Sequence, residues 1–367
     1  MPTSTARSAD RIVRICLGRL DERDLRAQVI HELRSSLGFD AYAWLLTDPL
    51  TWVGTAPLAE VPESEDLPRL IGLKYRTTVN RWTTLPPRRG VLLSVTTGGR
   101  LVESLIWREL LKGYGVVDIA SVSFRDRYGS WGFLDLWRCA PQPSFTDTDA
   151  SLLTQVAAPI TTALRRAQAR LFTGAPQTAG TVGPAVLVLD DGLQILQQTA
   201  PVDQHLRALL PTDPDLSPVP AAALNVAAQL QAVESGADHH APSARAHLTG
   251  GPWISIRASR LTGSARERGT IAITIETLAV SEHVDLFACA TAVTPRERQL
   301  LHLLTNGADN ATIATSMGIS LFTVQDHLKS IYAKSGARTR TELIAQATAG
   351  RRAIPVDPRQ SVDVRAR

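Results

Sequence analysis

Val293-Thr294-Pro295-Arg296-Glu297, Ile313-Ala314, Met317-Gly318-Ile319-Ser320, Thr323-Val324 and Thr339-Arg340-Thr341-Glu342 lie within residues 293 to 345, and their reading decides the fold of the C-terminal part of the chain. Thr294 can accept from a free backbone N–H, Pro295 suits a first helical position, and Glu297 can reach back to the cap, so a helix begins here. Leu300, Leu301, Leu303 and Leu304 give it an apolar stripe. Asn306-Gly307 ends it, because glycine takes the left-handed conformation cheaply. A second helix is expected over 310 to 317, with Ile313, Ala314 and Met317 on one face. Gly318 makes the turn, Ile319 tucks inward, and Ser320 caps a third helix. On that helix Val324, Leu328, Ile331 and Tyr332 recur at i, i+4, i+7 and i+8, while Thr323, Gln325, Asp326 and Lys329 point elsewhere together. Thr339 and Glu342 repeat the capping-box spacing and open a fourth helix with Leu343, Ile344 and Ala347 facing in. Helix, glycine turn and a second helix with a polar outer face is the helix-turn-helix arrangement.

The same positions, with His327-Leu328, Lys334, Gly336 and Arg338, resemble the LuxR-type DNA-binding domain. Gln325 stands where that family often has lysine, and Ser335 where it often has leucine. The resemblance implies that Gln325, Asp326 and Lys329 face base edges in the major groove. Gln can pair with adenine, Lys can donate to guanine, and Asp can accept from cytosine. It further implies that Thr312, Thr323, Lys334, Arg338 and Arg340 contact phosphates, which sets register without reading sequence.

Charge agrees in location. Residues 290 to 350 hold six Lys and Arg against four Asp and Glu, and the tail from 351 to 367 holds five against two, in a chain of net charge +4. The basic surplus therefore sits at the C-terminal end, as a phosphate footprint requires. The tail, 351–367, reads as disordered.

At 367 residues, 44% hydrophobic and 20% charged, the chain can bury sizeable cores in two or three domains. Cys16, Cys139 and Cys289 are far apart and in no metal-type spacing, which fits a reducing cytoplasm. Residues 1–20 read as an extension in which no apolar run follows the arginines, so no signal peptide is expected. No run nears the ~18 apolar residues of a membrane span.

Residues 21–172 read as one α/β domain. Leu25, Val29, Leu33 and Leu37 mark a helix, and 40 to 46 a strand. Leu67 to Arg76 reads as helix, 91 to 95 as strand, and Ser104 to Lys112 as helix. Ile119 to Phe124 and Trp131 to Arg138 read as paired strands around a glycine turn. A long helix runs from Phe145 to about Phe172. The segments Gly132 to Arg138 and Phe145 to Arg166 are similar to GAF sensor domains, of α/β/α layering. Trp44, Trp82 and Trp107 are candidates for lining an apolar ligand pocket, although core filling explains most single tryptophans.

Residues 173–182 read as a linker. Residues 183–278 then give a hairpin around Asp191-Gly192, helices over 203–210 and 220–231, and three strands, an order that resembles a PAS-like domain. His239-His240 falls in a polar loop and reads as solvated. Residues 279–291 read as a second linker, before the helix-turn-helix domain over 292–350.

The expected fold is thus multidomain α+β: a GAF-like domain, a PAS-like domain and an all-α domain of four helices. No phosphate loop, nucleophile elbow or zinc-protease motif is present in the sequence, so no catalytic residue, metal site or cofactor is expected. The expected function is a cytoplasmic, homodimeric transcription regulator that binds a two-fold site on double-stranded promoter DNA. A small-molecule effector or partner would be sensed N-terminally, with no membrane involved. The alternative is a small-molecule-binding protein or enzyme over 21 to 280 whose helical C-terminus mediates protein interaction.

Overall fold

In a computed structural model, the described residues are 4–173, 185–200, 202, 221–248, 251–261 and 269–349. The chain divides into one unit of Met1–Leu278 and a second of Ala279–Arg367. The expected linker 173–182 beyond Thr173, the helix over 203–210 and the basic tail lie outside the described residues.

The first unit opens with α1 (Ser4–Leu17) and α2 (Glu22–Leu37). The Asp21 carboxylate accepts from the N–H groups of Arg23 and Asp24, and Gly38 ends α2 at φ 59°. Strands β1 (Ala41–Thr47), β2 (Gly54–Glu60), β3 (Val91–Leu92), β4 (Val116–Asp126) and β5 (Gly129–Cys139) form an antiparallel sheet of order β2-β1-β5-β4-β3. β5 lies mid-sheet with both faces covered, so Trp131, Phe133, Leu134, Leu136 and Trp137 are all buried. Helix α3 (Leu67–Arg76) precedes a short α4 (Leu93–Thr96). The long α5 (Asp147–Arg170), capped reciprocally by Thr146 and Asp149, lies against β4 and β5 and packs with α1 and α2.

The second sheet comprises β6 (Ala185–Leu189), β7 (Ile195–Gln198), β8 (Ser243–His247), β9 (Trp253–Arg260) and β10 (Ile271–Thr277), in the order β7-β6-β10-β9-β8. Counted within each sheet, both orders read 2-1-5-4-3. Helix α6 (Ala221–Glu234) packs on β9 of this sheet and on β2 and α3 of the first. It is alanine-rich and buried almost all round, as a helix enclosed on both sides must be. One apolar core accordingly runs from Ile71, Tyr75, Trp82 and Phe133 through α6 to Ile254, Ile256 and Ile273. The regions expected to be GAF-like and PAS-like therefore share this core.

Some expected elements differ. The extension 1–20 carries α1, with Ala9, Ile12 and Cys16 buried. Only Val91–Leu92 is strand; beyond it Ser94 donates its N–H and hydroxyl to the Asp118 carboxylate, which turns residues 93–96 into helix. The expected helix of 104 to 112 includes a π-helical turn at Trp107–Leu111.

The second unit is α7 (Val280–Ala290), α8 (Pro295–Thr305), α9 (Asn310–Met317), α10 (Leu321–Ser335) and α11 (Arg340–Thr348). The linker expected at 279–291 is thus a fifth helix. Its Val284, Leu286 and Phe287 are fully buried, and His283 Nδ1 lies 2.8 Å from the Ala347 carbonyl oxygen of α11.

Candidate nucleic-acid interface

The turn between α9 and α10 is built residue by residue. The Asp309 carboxylate accepts from Thr312 N–H at 2.8 Å and starts α9. Gly318, at φ 63°, ends α9 in the left-handed region that a Cβ would strain. Ser320 Oγ accepts from Thr323 N–H at 3.1 Å and starts α10, which Gly336 ends at φ 76°. Val324, Leu328 and Ile331 then point inward to join Leu300, Leu301, Leu304, Ile313, Met317 and Leu343 among the buried residues. Packing of α10 on α8 and α9 fixes its outer face toward solvent.

Gln325, Asp326 and Lys329 lie together on that outer face, all exposed, with Lys329 Nζ 3.7 Å from Asp326 Oδ1. Thr312 and Arg338 are also exposed. Thr323 Oγ1 lies 2.9 Å from Ser320 Oγ, at the rim of the helix start. The remaining two expected phosphate contacts have partners inside the unit. Lys334 Nζ is 2.6 Å from Glu297 Oε2. Arg340 donates to Asn310 Oδ1 at 3.0 Å and to the Ala308 carbonyl, tying α11 to the α8–α9 turn. Burial alone would raise the Glu297 carboxyl. Hydrogen bonds from Lys334, Ser330 and Thr294 outweigh it and hold the group at about 2.

The three candidate pocket tryptophans each have a different packing or hydrogen-bond partner. Trp44 is buried against Phe124, with ring centres 5.1 Å apart. Trp82 stacks on Phe133 at 4.7 Å and donates to the Trp52 carbonyl. Trp107 donates to the Val116 carbonyl. A small, partly open cavity of about 50 Å³ is bounded by Leu45, Ile71, Phe133, Trp137 and by Asn225 of α6. Asn225 is fully buried, and neither amide atom has a hydrogen-bond partner among the described residues. Lys74 and Asp135, paired at 2.5 Å, reach the same cavity, and Ser121 donates to that carboxylate.

His239 and His240 differ from the solvated pair expected. His239 is exposed, but His240 is half-buried, sets its ring at a tilt against Trp52 with centres 4.5 Å apart and places Nδ1 2.6 Å from Asp238 Oδ1. The other Asp238 oxygen accepts from Arg81 at 2.6 Å. Burial pushes the Asp238 carboxyl up, but His240 and Arg81 outweigh it and hold the group well below the usual carboxylate range. With both oxygens committed, this cluster is a poor metal cage.

Sequence reasoning also passed over Leu321 and Phe322, the two large apolar side chains exposed among the described residues of the second unit. Their place directly after the Ser320 cap, off the buried stripe, was the available signal.

Comparison with known proteins agrees with this geometry. Residues 291–347 match the family of bacterial regulatory proteins, luxR family, and residues 21–164 match the GAF domain. The monoamine regulon transcriptional regulator of Klebsiella aerogenes is 36% identical over 95 residues, 25% of this chain and 40% of that protein. The probable transcriptional regulatory protein SgaR of Hyphomicrobium methylovorum is 46% identical over 54 residues, 15% of this chain and 26% of that protein. The chain thus spans less than half the length of either. Among solved structures, Escherichia coli SdiA aligns over 90% of this chain and 93% of its own at 14% identity and a TM-score of 0.33. A ligand–DNA complex of Vibrio cholerae VqmA aligns over 49% and 87% at 20% identity and a TM-score of 0.21. Residues 291–347 therefore form a LuxR-type helix-turn-helix domain, carried in one chain with an N-terminal GAF domain over residues 21–164.

Proposed function

We propose that the chain is a sequence-specific, DNA-binding transcription regulator of the cytoplasm. The carrying observation is α10: a capped helix, fixed by its buried stripe, that presents Gln325, Asp326 and Lys329 to solvent in a domain of the luxR family. In this reading those three side chains face base edges, while Thr312, Thr323 and Arg338 meet phosphates. Lys334 and Arg340 add positive charge near the backbone while also bracing the fold. The curated relatives carry regulator names, which supports the same reading.

One recognition helix reads only a few base pairs, so the functional form is a homodimer on a two-fold site. The first unit is the sensor, with a GAF domain over 21–172 and a PAS-like domain over 183–278. The repeated strand order, with one five-stranded sheet in each region, supports that division. An effector regulates by preferring one arrangement of the protein over another, since only differential affinity shifts an equilibrium.

Footprinting of the full-length protein on the DNA upstream of its own coding region tests this. The expected result is two protected half-sites whose centres are about 34 Å, one helical turn, or a multiple of it apart. Uniform weak protection along the fragment would contradict a sequence-specific role there.

A further inference from the structure

Leu321 is 54% and Phe322 70% exposed, side by side at the first two positions of α10. A phenyl ring left in water at a helix tip contributes little burial to the folding of this unit. Its position is informative. Phe322, Gln325, Asp326 and Lys329 follow i, i+3, i+4 and i+7, so they form one stripe along the helix. Phe322 extends the polar stripe by one turn toward the helix N-terminus, the end that a recognition helix points at base edges. Leu321, its neighbour, borders a shallow depression with Ala311, Ala314 and Ile319 of the preceding helix and turn.

The three polar members of the stripe can read donors and acceptors. None of them can read the one apolar group the major groove offers, the C5-methyl of thymine. We propose that Phe322, next to the exposed Leu321, packs on thymine methyl groups and so determines specificity at positions flanking those read by Gln325 and Lys329. The inference rests on the DNA-binding reading and adds a contact to it. A protein partner is the competing occupant. Two side chains bordered by Lys329, Asp326 and Gln325 offer far less apolar surface than the roughly 800 Å² per partner of an ordinary protein interface.

The test starts from a selection of duplexes out of a randomised pool by the full-length protein. The most enriched duplex is then resynthesised with each thymine replaced in turn by deoxyuridine, which lacks only the methyl. The expected result is a loss of roughly four-fold at one or two positions in each half-site, the transfer value of one buried methyl group. Phe322→Ala should bind the thymine and uracil duplexes alike, and Phe322→Leu should recover part of the difference. Both variants should bind a shuffled duplex like the parent protein, because that affinity is electrostatic. This also shows that the domain is folded. If no uracil substitution matters, or if Phe322→Ala keeps the parent's methyl dependence, the proposal is overturned and the exposed pair serves another surface. A pool that yields no enriched duplex would overturn the DNA-binding reading and this contact with it.

Discussion

Lys334 Nζ lies 2.6 Å from Glu297 Oε2, so the carboxylate that closes the capping box of α8 also pairs with a lysine near the C-terminal end of α10. The recognition helix is thereby held at its far end by the first turn of another helix. Glu297→Gln keeps a side chain able to cap but removes the ion pair. It should cost about 2 kcal/mol at neutral pH, the order expected for a charged hydrogen bond. The sign with pH follows from the depressed value. Glu297 sits at about 2 against an ordinary 4.5, so its contribution is complete above the ordinary value and is lost as pH falls toward about 2. Hydrogen exchange of the amides in α8 and α10 checks this. The parent protein should lose protection through that window more steeply than the variant, and matching profiles would refute the pairing.

Asp48 joins the two halves of the first unit. Its carboxylate accepts from Arg245 Nε at 2.6 Å, from the terminal guanidinium nitrogen at 2.9 Å and from Arg245 N–H at 2.7 Å, all buried. It also accepts from the N–H groups of Leu50 and Thr51. Asp48→Ala leaves a buried guanidinium unpaired and should destabilise this unit by about 3 to 5 kcal/mol. All seven tryptophans lie within residues 1–278, so denaturation followed by tryptophan fluorescence reads this unit. A shift under about 1 kcal/mol would mean the pair is not held in solution.

Asn225 is the opposite case, a buried amide with no partner at the edge of a cavity of about 50 Å³. Asn225→Leu removes the polar penalty and adds apolar volume on the cavity side. It should raise stability by about 1 kcal/mol. The same fluorescence measurement decides, and a clear loss would show that the amide is satisfied in solution.

Lys329 and Arg338 should separate by readout. Lys329→Ala should reduce the ratio of specific to shuffled-DNA affinity by about 1 to 3 kcal/mol. Arg338→Ala should lower affinity on every sequence and flatten the salt dependence by about one charge. Equal losses of Lys329→Ala on both duplexes would remove it from the base contacts.

Much of the second unit was legible because its signals are local. Thr294 and Glu297 form the reciprocal cap expected of them. Thr339 and Glu342 do so only partly, since Glu342 accepts from Arg338 N–H, one residue earlier than the box requires. Helix α7 was not legible: Leu286, Phe287, Ala288, Cys289 and Ala290 are buried on successive sides, which erases the helical stripe. In the first unit, Pro57 within β2 masks an edge strand. The long-range facts were beyond reach. Nothing near residue 221 in the sequence says that α6 lies between two sheets, or that Asn225 would face Leu45 and Phe133 across a cavity. The tryptophans likewise signalled burial without indicating which face each would take. Trp44 and Trp82 ended against different rings.

The most direct measurement is a fluorescence-anisotropy titration of the full-length protein against its best selected duplex and a shuffled one, from about 50 to 200 mM salt. The account predicts at least ~1,000-fold tighter binding to the selected duplex and an affinity that falls steeply with salt on both. Equal affinity for the two duplexes, or none for either, would contradict it.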